Sequence, residues 1–306
     1  MGLRPTGAAA GYGRRMPDAD APLDLHVHST CSDGLESPAA VVALAAGAGL
    51  GGVALADHDT CDGLAEAAEA AAAHDLELVP AVELSAELVV ARGGGELAES
   101  VHVLGYWIDP EDPGLAAEMA RLRDERGDRA GRIVAALAGL GVPVDAARVH
   151  ALAGDAPVGR PHVARAMVEA GHVADEREAF DRFLADGGPA HVPKHALDPV
   201  AAVRLIAGAG GVAVLAHPGL FGPRDGDEEI PLEEVVRMAE AGLAGIEADH
   251  AEHRRSRAQR WRSVAGELGL VVTGGSDHHG RPGDAVGTAF TAREAVEGLR
   301  SRRAGG

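Results

Sequence analysis

The chain has almost no cysteine, a single lysine and few aromatic residues. Its 306 residues hold two cysteines, Cys31 and Cys61, which excludes the small secreted folds stapled by disulfides. Aromatic side chains make up 3%, so a core must be assembled from Ala, Val and Leu, which the 46% apolar content supplies. Lysine occurs once, as Lys194; the other basic residues are arginines, and 28 basic against 47 acidic residues give a net charge of −19. So acidic a chain excludes a broad electrostatic footprint for duplex DNA. A short anionic substrate remains compatible, because bound divalent ions would invert the local field. No apolar run approaches the roughly 18–20 residues that span a bilayer. Residues 1–22 contain Arg14 and Arg15 but no apolar stretch of the signal-peptide kind, and read as a flexible leader. These features describe a soluble, cytoplasmic protein with no membrane and no obligate protein partner.

Short β-type runs alternate with Ala-rich helical stretches. Strands are expected at 23–28, 52–57, 76–83, 101–107, 211–217, 245–248 and 270–273. Helices are expected at 38–48, 62–74, 199–209, 232–241 and 254–268. The first is the clearest, with Ser37 as N-cap, Pro38 in the first turn and Gly49 as the stop. Strand–helix alternation with apolar strands predicts a parallel sheet covered by helices. The alternation breaks between 108 and 192, where 115–140, 145–153, 160–170 and 175–185 all read as helix. The expected organisation is an α/β barrel over 23–107 and 193–295, a helical insertion over 108–192 and a C-terminal tail over 296–306.

Chemistry enters with D-L-H-V-H-S-T-C-S-D-G, residues 24–34. Side chains alternate across a strand, so His26 and His28 point to one side, as two metal ligands would. Asp33 follows in the loop. A-D-H-D (56–59) brings His58, V-E-L-S (82–85) Glu83, S-V-H-V-L-G-Y His102, V-L-A-H-P-G His217, and T-G-G-S-D-H-H-G Asp277 and His279. Each lies at a strand end, and in α/β barrels side chains there converge on one pocket. Imidazole and carboxylate without thiolate suit Mn²⁺, Zn²⁺ or Fe²⁺. Nine ligands exceed the needs of one ion and match two or three, with Glu83 as a bridge. Clustered ions serve phosphoester hydrolysis. Arg160 and His162 open a helix in G-R-P-H, where an arginine suits phosphate. Lys194 and His253 are further substrate-binding candidates, and Asp24 and Asp59 are placed to orient imidazole N–H groups.

As an ordered set these motifs resemble the PHP family, named for polymerase and histidinol phosphatase, from about residue 23 to residue 290. The resemblance implies a distorted (β/α)7, TIM-like barrel with a trinuclear site. By motif position it assigns His26, His28, Asp33, His58, Glu83, His102, His217, Asp277 and His279 as ligands, with Mn²⁺ the first choice of metal. Position 278, often Phe in relatives, is His here, and the D-x-H spacing selects His279 over His278. The insertion with G-R-P-H, A-F-D-R-F-L and P-A-H-V-P resembles a nucleotide-directed branch whose insertion lies over the barrel mouth. That branch implies hydrolysis of nucleoside 3′,5′-bisphosphates or AMP-type substrates, and of short RNA from its 5′ end, by attack of metal-bound hydroxide. Histidinol-phosphate phosphatase, an amidohydrolase-like C–N hydrolase and a non-catalytic binding module are the alternatives.

Overall fold

The structure, a computed structural model, describes residues 20–92, 95–154, 158–185, 187–192, 197–222 and 229–303. Most of the leader, and Lys194, lie outside the described residues. Strands β1 (Leu23–Val27), β2 (Gly52–Leu55), β3 (Glu77–Arg92), β4 (Gly95–Tyr106), β5 (Val212–Leu215), β6 (Leu243–His250) and β7 (Val271–Gly275) pair in chain order into one seven-stranded sheet. The sheet nearly closes on itself. His28 N–H donates to His278 O at 2.9 Å and Asp277 N–H to His26 O at 2.8 Å, so the segment after β7 runs beside β1.

Around it lie α1 (Pro38–Gly47), α2 (Leu64–His74), α7 (Pro199–Gly208), α8 (Leu232–Glu240), α9 (Arg255–Glu267) and α10 (Arg293–Arg300). Between β4 and α7 come α3 (Pro113–Gly139), α4 (Ala146–Ala153), α5 (Arg160–Glu169), α6 (Glu176–Ala179) and a π-helical turn, Phe180–Leu184. Helix starts follow local chemistry. Ser37, Asp112 and Asp198 each accept first-turn N–H groups and each precede a proline. No described helix is long and apolar enough to cross a membrane.

The alternation predicts a parallel sheet, but the sheet is mixed. β4 is antiparallel to both β3 and β5, while the other pairs are parallel. The cause is a long hairpin. Arg92 pairs with Gly95 across residues 93 and 94, both glycine, a connection too short for a parallel crossover. α10 extends into the stretch expected to be tail from residue 296, burying Val296 and Leu299.

Alternation sorts the core into layers. On β5, Ala213 and Leu215 join the helix-facing cluster, and Val212 and Val214 the opposite one. That second cluster fills the barrel with Leu23, Leu25, Val79, Ala81, Leu104 and Tyr106, whose hydroxyl donates to Leu25 O. β1 carries an irregularity. Leu25 faces inward, but Val27 packs outward against α1 and α2, and the β1–β2 register shifts between Asp24 and Val27. The shift reverses which face the later residues occupy, and so turns His26 and His28 into the barrel mouth.

The helical segment has its own core of Ile133, Leu137, Val149, Val163, Met167 and Leu184, whereas Leu115 and Met119 at the start of α3 belong to the barrel. Among the described residues, no strand occurs between 108 and 192.

Candidate metal centre

Glu83 sits buried at the centre of five imidazoles. Its Oε2 lies 2.9 Å from His58 Nδ1 and 3.3 Å from both His26 Nε2 and His28 Nε2. Its Oε1 lies 2.9 Å from His102 Nδ1 and 3.0 Å from His217 Nε2. Asp277 Oδ1 lies 3.1 Å from His28 Nε2 and 3.4 Å from His26 Nε2, and Asp33 Oδ1 lies 3.1 Å from His279 Nε2. Four overlapping groups each place their ligand atoms within 4.8 Å of one another: His28–Asp33–His58–His279, His26–Glu83–His217, His26–His28–Asp277 and His58–Glu83–His102. All the ligand candidates from the sequence are thus brought together. His278 faces away, toward Glu36 and Asp284.

His102 Nδ1 and His217 Nε2 are hydrogen-bonded to Glu83 Oε1, but much of the remaining close approach is not hydrogen bonding. His26 Nε2, both ring nitrogens of His28, Asp33 Oδ1, His58 Nδ1 and Glu83 Oε2 are buried without a hydrogen-bond partner. Buried polar atoms normally have partners, so this many in one place fits cations as their common target. The donor set of ring nitrogens and carboxylate oxygens suits Mn²⁺, Zn²⁺ or Fe²⁺. Neither thiol joins it: Cys31 and Cys61 are half-buried, and burial pushes the Cys61 thiol up to about 12.

Electrostatics prepare the site. Burial opposes charge on Glu83, but His58, His102 and His26 outweigh it and hold the carboxyl well below its ordinary range. Asp33 and Asp277 are lowered in the same way by surrounding imidazoles. Burial, with repulsion from His279, pushes His28 down to about 3, and burial takes His102 to about 4. Both rings are neutral at pH 7. His279 goes the other way: burial lowers it, but Asp33 and Asp277 raise it to about 9.

The supporting residues differ from those expected. Glu247 grips His26 Nδ1 through both carboxylate oxygens, at 3.0 and 3.1 Å, and accepts His217 N–H at 2.9 Å. Asp24 and Asp59 bind backbone N–H groups and a hydroxyl. Asp24 accepts the backbone N–H groups of Ser276 and Gly287, and Asp59 those of Ser85 and its hydroxyl. Asp57 organises the Asp33 loop, accepting Ser29 N–H, Ser29 Oγ–H and Ser32 Oγ–H at 2.6–2.8 Å. Its only sequence signal was a second acid in A-D-H-D.

A cleft of about 150 Å³ joins this cluster to the helical segment. Asp33, His58, Ser100 and His102 form one wall; Arg129, Ile133, Val158, Gly159, Arg160, Pro161 and Phe180 form the other. Arg160, expected to meet phosphate, lines this cleft opposite the cluster. Arg129, in the second half of α3, stands in no sequence motif that marks it. His162 is buried, and its Nδ1 accepts the Gly159 N–H at 2.9 Å, so it caps α5 instead of lining the cleft. His253 also lies off the cleft, with both ring nitrogens engaged by backbone.

The PHP domain family model matches residues 24–135. A 3′,5′-nucleoside bisphosphate phosphatase of Chromobacterium violaceum is 36% identical over 86% of this chain and 89% of its own length. A 5′-3′ exoribonuclease of Haemophilus influenzae is 33% identical over 84% of this chain and 89% of its own. A Bifidobacterium adolescentis structure described as a metal-dependent phosphoesterase superposes with a TM-score of 0.81 at 31% identity, covering 94% of this chain and 98% of that one.

Proposed function

The chain belongs to the PHP domain family, and on that footing we propose that it is a metal-dependent phosphoesterase acting on nucleotides, with nucleoside 3′,5′-bisphosphates first and short 5′-phosphorylated RNA second. One observation carries the reading: Asp33, His58 and His102 share a single cleft with Arg129 and Arg160. The ligands are the nine residues His26, His28, Asp33, His58, Glu83, His102, His217, Asp277 and His279, holding two or three divalent ions, with Mn²⁺ the native metal. Such ions polarise a phosphoester and make water nucleophilic at neutral pH.

The chain's own residues do the remaining work. Arg129 and Arg160 offer guanidinium groups across the cleft from the cluster. A substrate with two phosphates can set one against the cluster and the other against these arginines. Ile133, Val158 and Phe180 give the base an apolar wall and exclude water from it. Glu247 and Asp57 hold the ligand side chains in place. The insertion over 108–192 acts as a substrate-binding cap on a barrel formed by 23–107 and 193–295. The same reading makes the protein cytoplasmic, with neither duplex DNA nor a membrane as partner.

The names of the two curated relatives, a bisphosphate phosphatase and an exoribonuclease, support both substrate classes. Histidinol phosphate fits the cleft less well, because its cationic amine would face two arginines. A lysine-bridged C–N hydrolase lacks its bridge, since Lys194 is the one lysine in the sequence and lies outside the cluster's motifs.

The test is phosphate release by Mn²⁺-loaded protein from adenosine 3′,5′-bisphosphate, AMP, histidinol phosphate and a 5′-phosphorylated RNA oligomer. Preference for the bisphosphate, with stepwise mononucleotide release from RNA, is expected. Cleavage of histidinol phosphate alone would refute the nucleotide reading.

A further inference from the structure

We infer that His253 is a positioning residue that fixes the metal-facing orientation of His217, acting as a clamp between β6 and the turn after β5. The inference rests on reading His217 as a ligand. His217 leaves its strand in an uncommon conformation, with φ 24° and ψ 52°, before the short turn Pro218–Leu220. A non-glycine residue at positive φ persists only where its surroundings hold it.

The hold is specific. Gly219 N–H donates to His253 Nε2 at 3.1 Å, and His253 Nδ1–H donates to Ala248 O at 2.9 Å. A carbonyl only accepts, so Nδ1 carries the hydrogen and Nε2 is the acceptor. Both nitrogens are therefore used by backbone, and neither is left for phosphate or metal. Arg257 fastens the next peptide, donating from Nη1 to Gly219 O at 2.9 Å. Fit explains the glycine: a Cβ at 219 would lie 2.7 Å from the His253 ring. His253 is itself seated by its N–H, which donates to His250 O at 3.0 Å. The clamp thus ties the β5 turn to the β6 end, where Glu247 accepts the His217 N–H at 2.9 Å.

Substitutions can separate a clamp from a substrate contact. Asn at 253 can keep the Nδ1-type donor to Ala248 but not the acceptor for Gly219; Gln can reach the Nε2 position. Mn²⁺ affinity and stoichiometry are measured on His253→Ala, His253→Asn, His253→Gln and Arg257→Gln, with KM and kcat for adenosine 3′,5′-bisphosphate. Loss of support around a ligand typically costs ~10–100-fold in metal affinity or activity. His253→Ala and His253→Asn should show that loss with KM within about 2-fold of wild type. His253→Gln should recover most of it, and Arg257→Gln should shift affinity in the same direction. Should His253→Ala fail to fold, Arg257→Gln carries the test. Wild-type Mn²⁺ binding in His253→Ala and Arg257→Gln, or a raised KM with unchanged ion binding, would overturn the clamp. A wild-type chain that binds no Mn²⁺ would instead overturn the metal reading on which the clamp rests.

Discussion

Glu247 and His26 form a buried carboxylate–imidazole pair, with Oε1 and Oε2 at 3.0 and 3.1 Å from Nδ1. The pair leaves His26 Nε2 directed at Glu83 and Asp277. A carboxylate behind a ligating imidazole fixes its ring and raises its basicity. Glu247→Gln should therefore lower Mn²⁺ affinity or kcat by ~10–100-fold with little change in KM. Calorimetric titration alongside steady-state kinetics checks this, and unchanged binding and kcat would remove Glu247 from the centre's support.

Asp57 answers three donors of the Asp33 loop and is itself buried. Asp57→Ala strands those donors. The expected loss of stability is about 2–3 kcal/mol, the cost of leaving buried groups unpaired. Chemical denaturation of the metal-free protein measures it. A loss under ~0.5 kcal/mol would show that water replaces the carboxylate freely.

Arg129 and Arg160 line the cleft from the helical side. Each is anchored by a backbone carbonyl, Arg129 to Val192 O and Arg160 to Leu184 O. Substituting either by Ala should reduce kcat/KM for the bisphosphate by roughly 10- to 150-fold, the range for a charged hydrogen bond of 1.5–3 kcal/mol. Ion stoichiometry should stay at the wild-type value. If ion binding fell together with activity, the arginines would belong to the fold of the centre and not to the substrate.

Metal binding should strengthen as pH rises. In the ion-free protein His279 is raised to about 9, since Asp33 and Asp277 outweigh burial, so it holds a proton at pH 7. An ion must displace that proton, which favours binding at higher pH. His28 at about 3 and His102 at about 4 are already neutral and add no dependence above pH 6. His26 holds a second proton, because Glu247, Glu83 and Asp277 outweigh burial and raise it well above its ordinary value, so Mn²⁺ titrations at pH 7 in two buffers of different ionisation enthalpy should report more than one proton released. No release would contradict the pairing of His279 with Asp33.

The clustering of the nine His, Asp and Glu side chains was legible in sequence because they sit in short motifs at strand ends, where alternation and topology leave little choice of direction. The helical character of the stretch between β4 and α7 was legible too, since helical periodicity there has no strand to compete with it. Strand direction was not. The apolar runs over 77–92 and 95–106 read alike whether parallel or antiparallel, and the glycine pair at 93–94 was the one local clue. Glu247 and Asp57 read as ordinary strand-end acids, because their partners lie 221 and 28 residues away. His253 looked like a substrate residue for a similar reason, since its partner Gly219 is 34 residues distant. α10 escaped notice because its eight residues, R-E-A-V-E-G-L-R, offer only Val296 and Leu299 to the core.

The most direct test of the account is phosphate release from adenosine 3′,5′-bisphosphate, compared between wild type and His28→Ala. Wild type is assayed Mn²⁺-loaded, chelator-stripped and reloaded. The expected result is rapid release by loaded wild type, loss on stripping, recovery on reloading, and a deficit of at least ~100-fold in His28→Ala. Equal release with and without chelator, or by His28→Ala and wild type, would contradict a metal-dependent phosphoesterase built on these side chains.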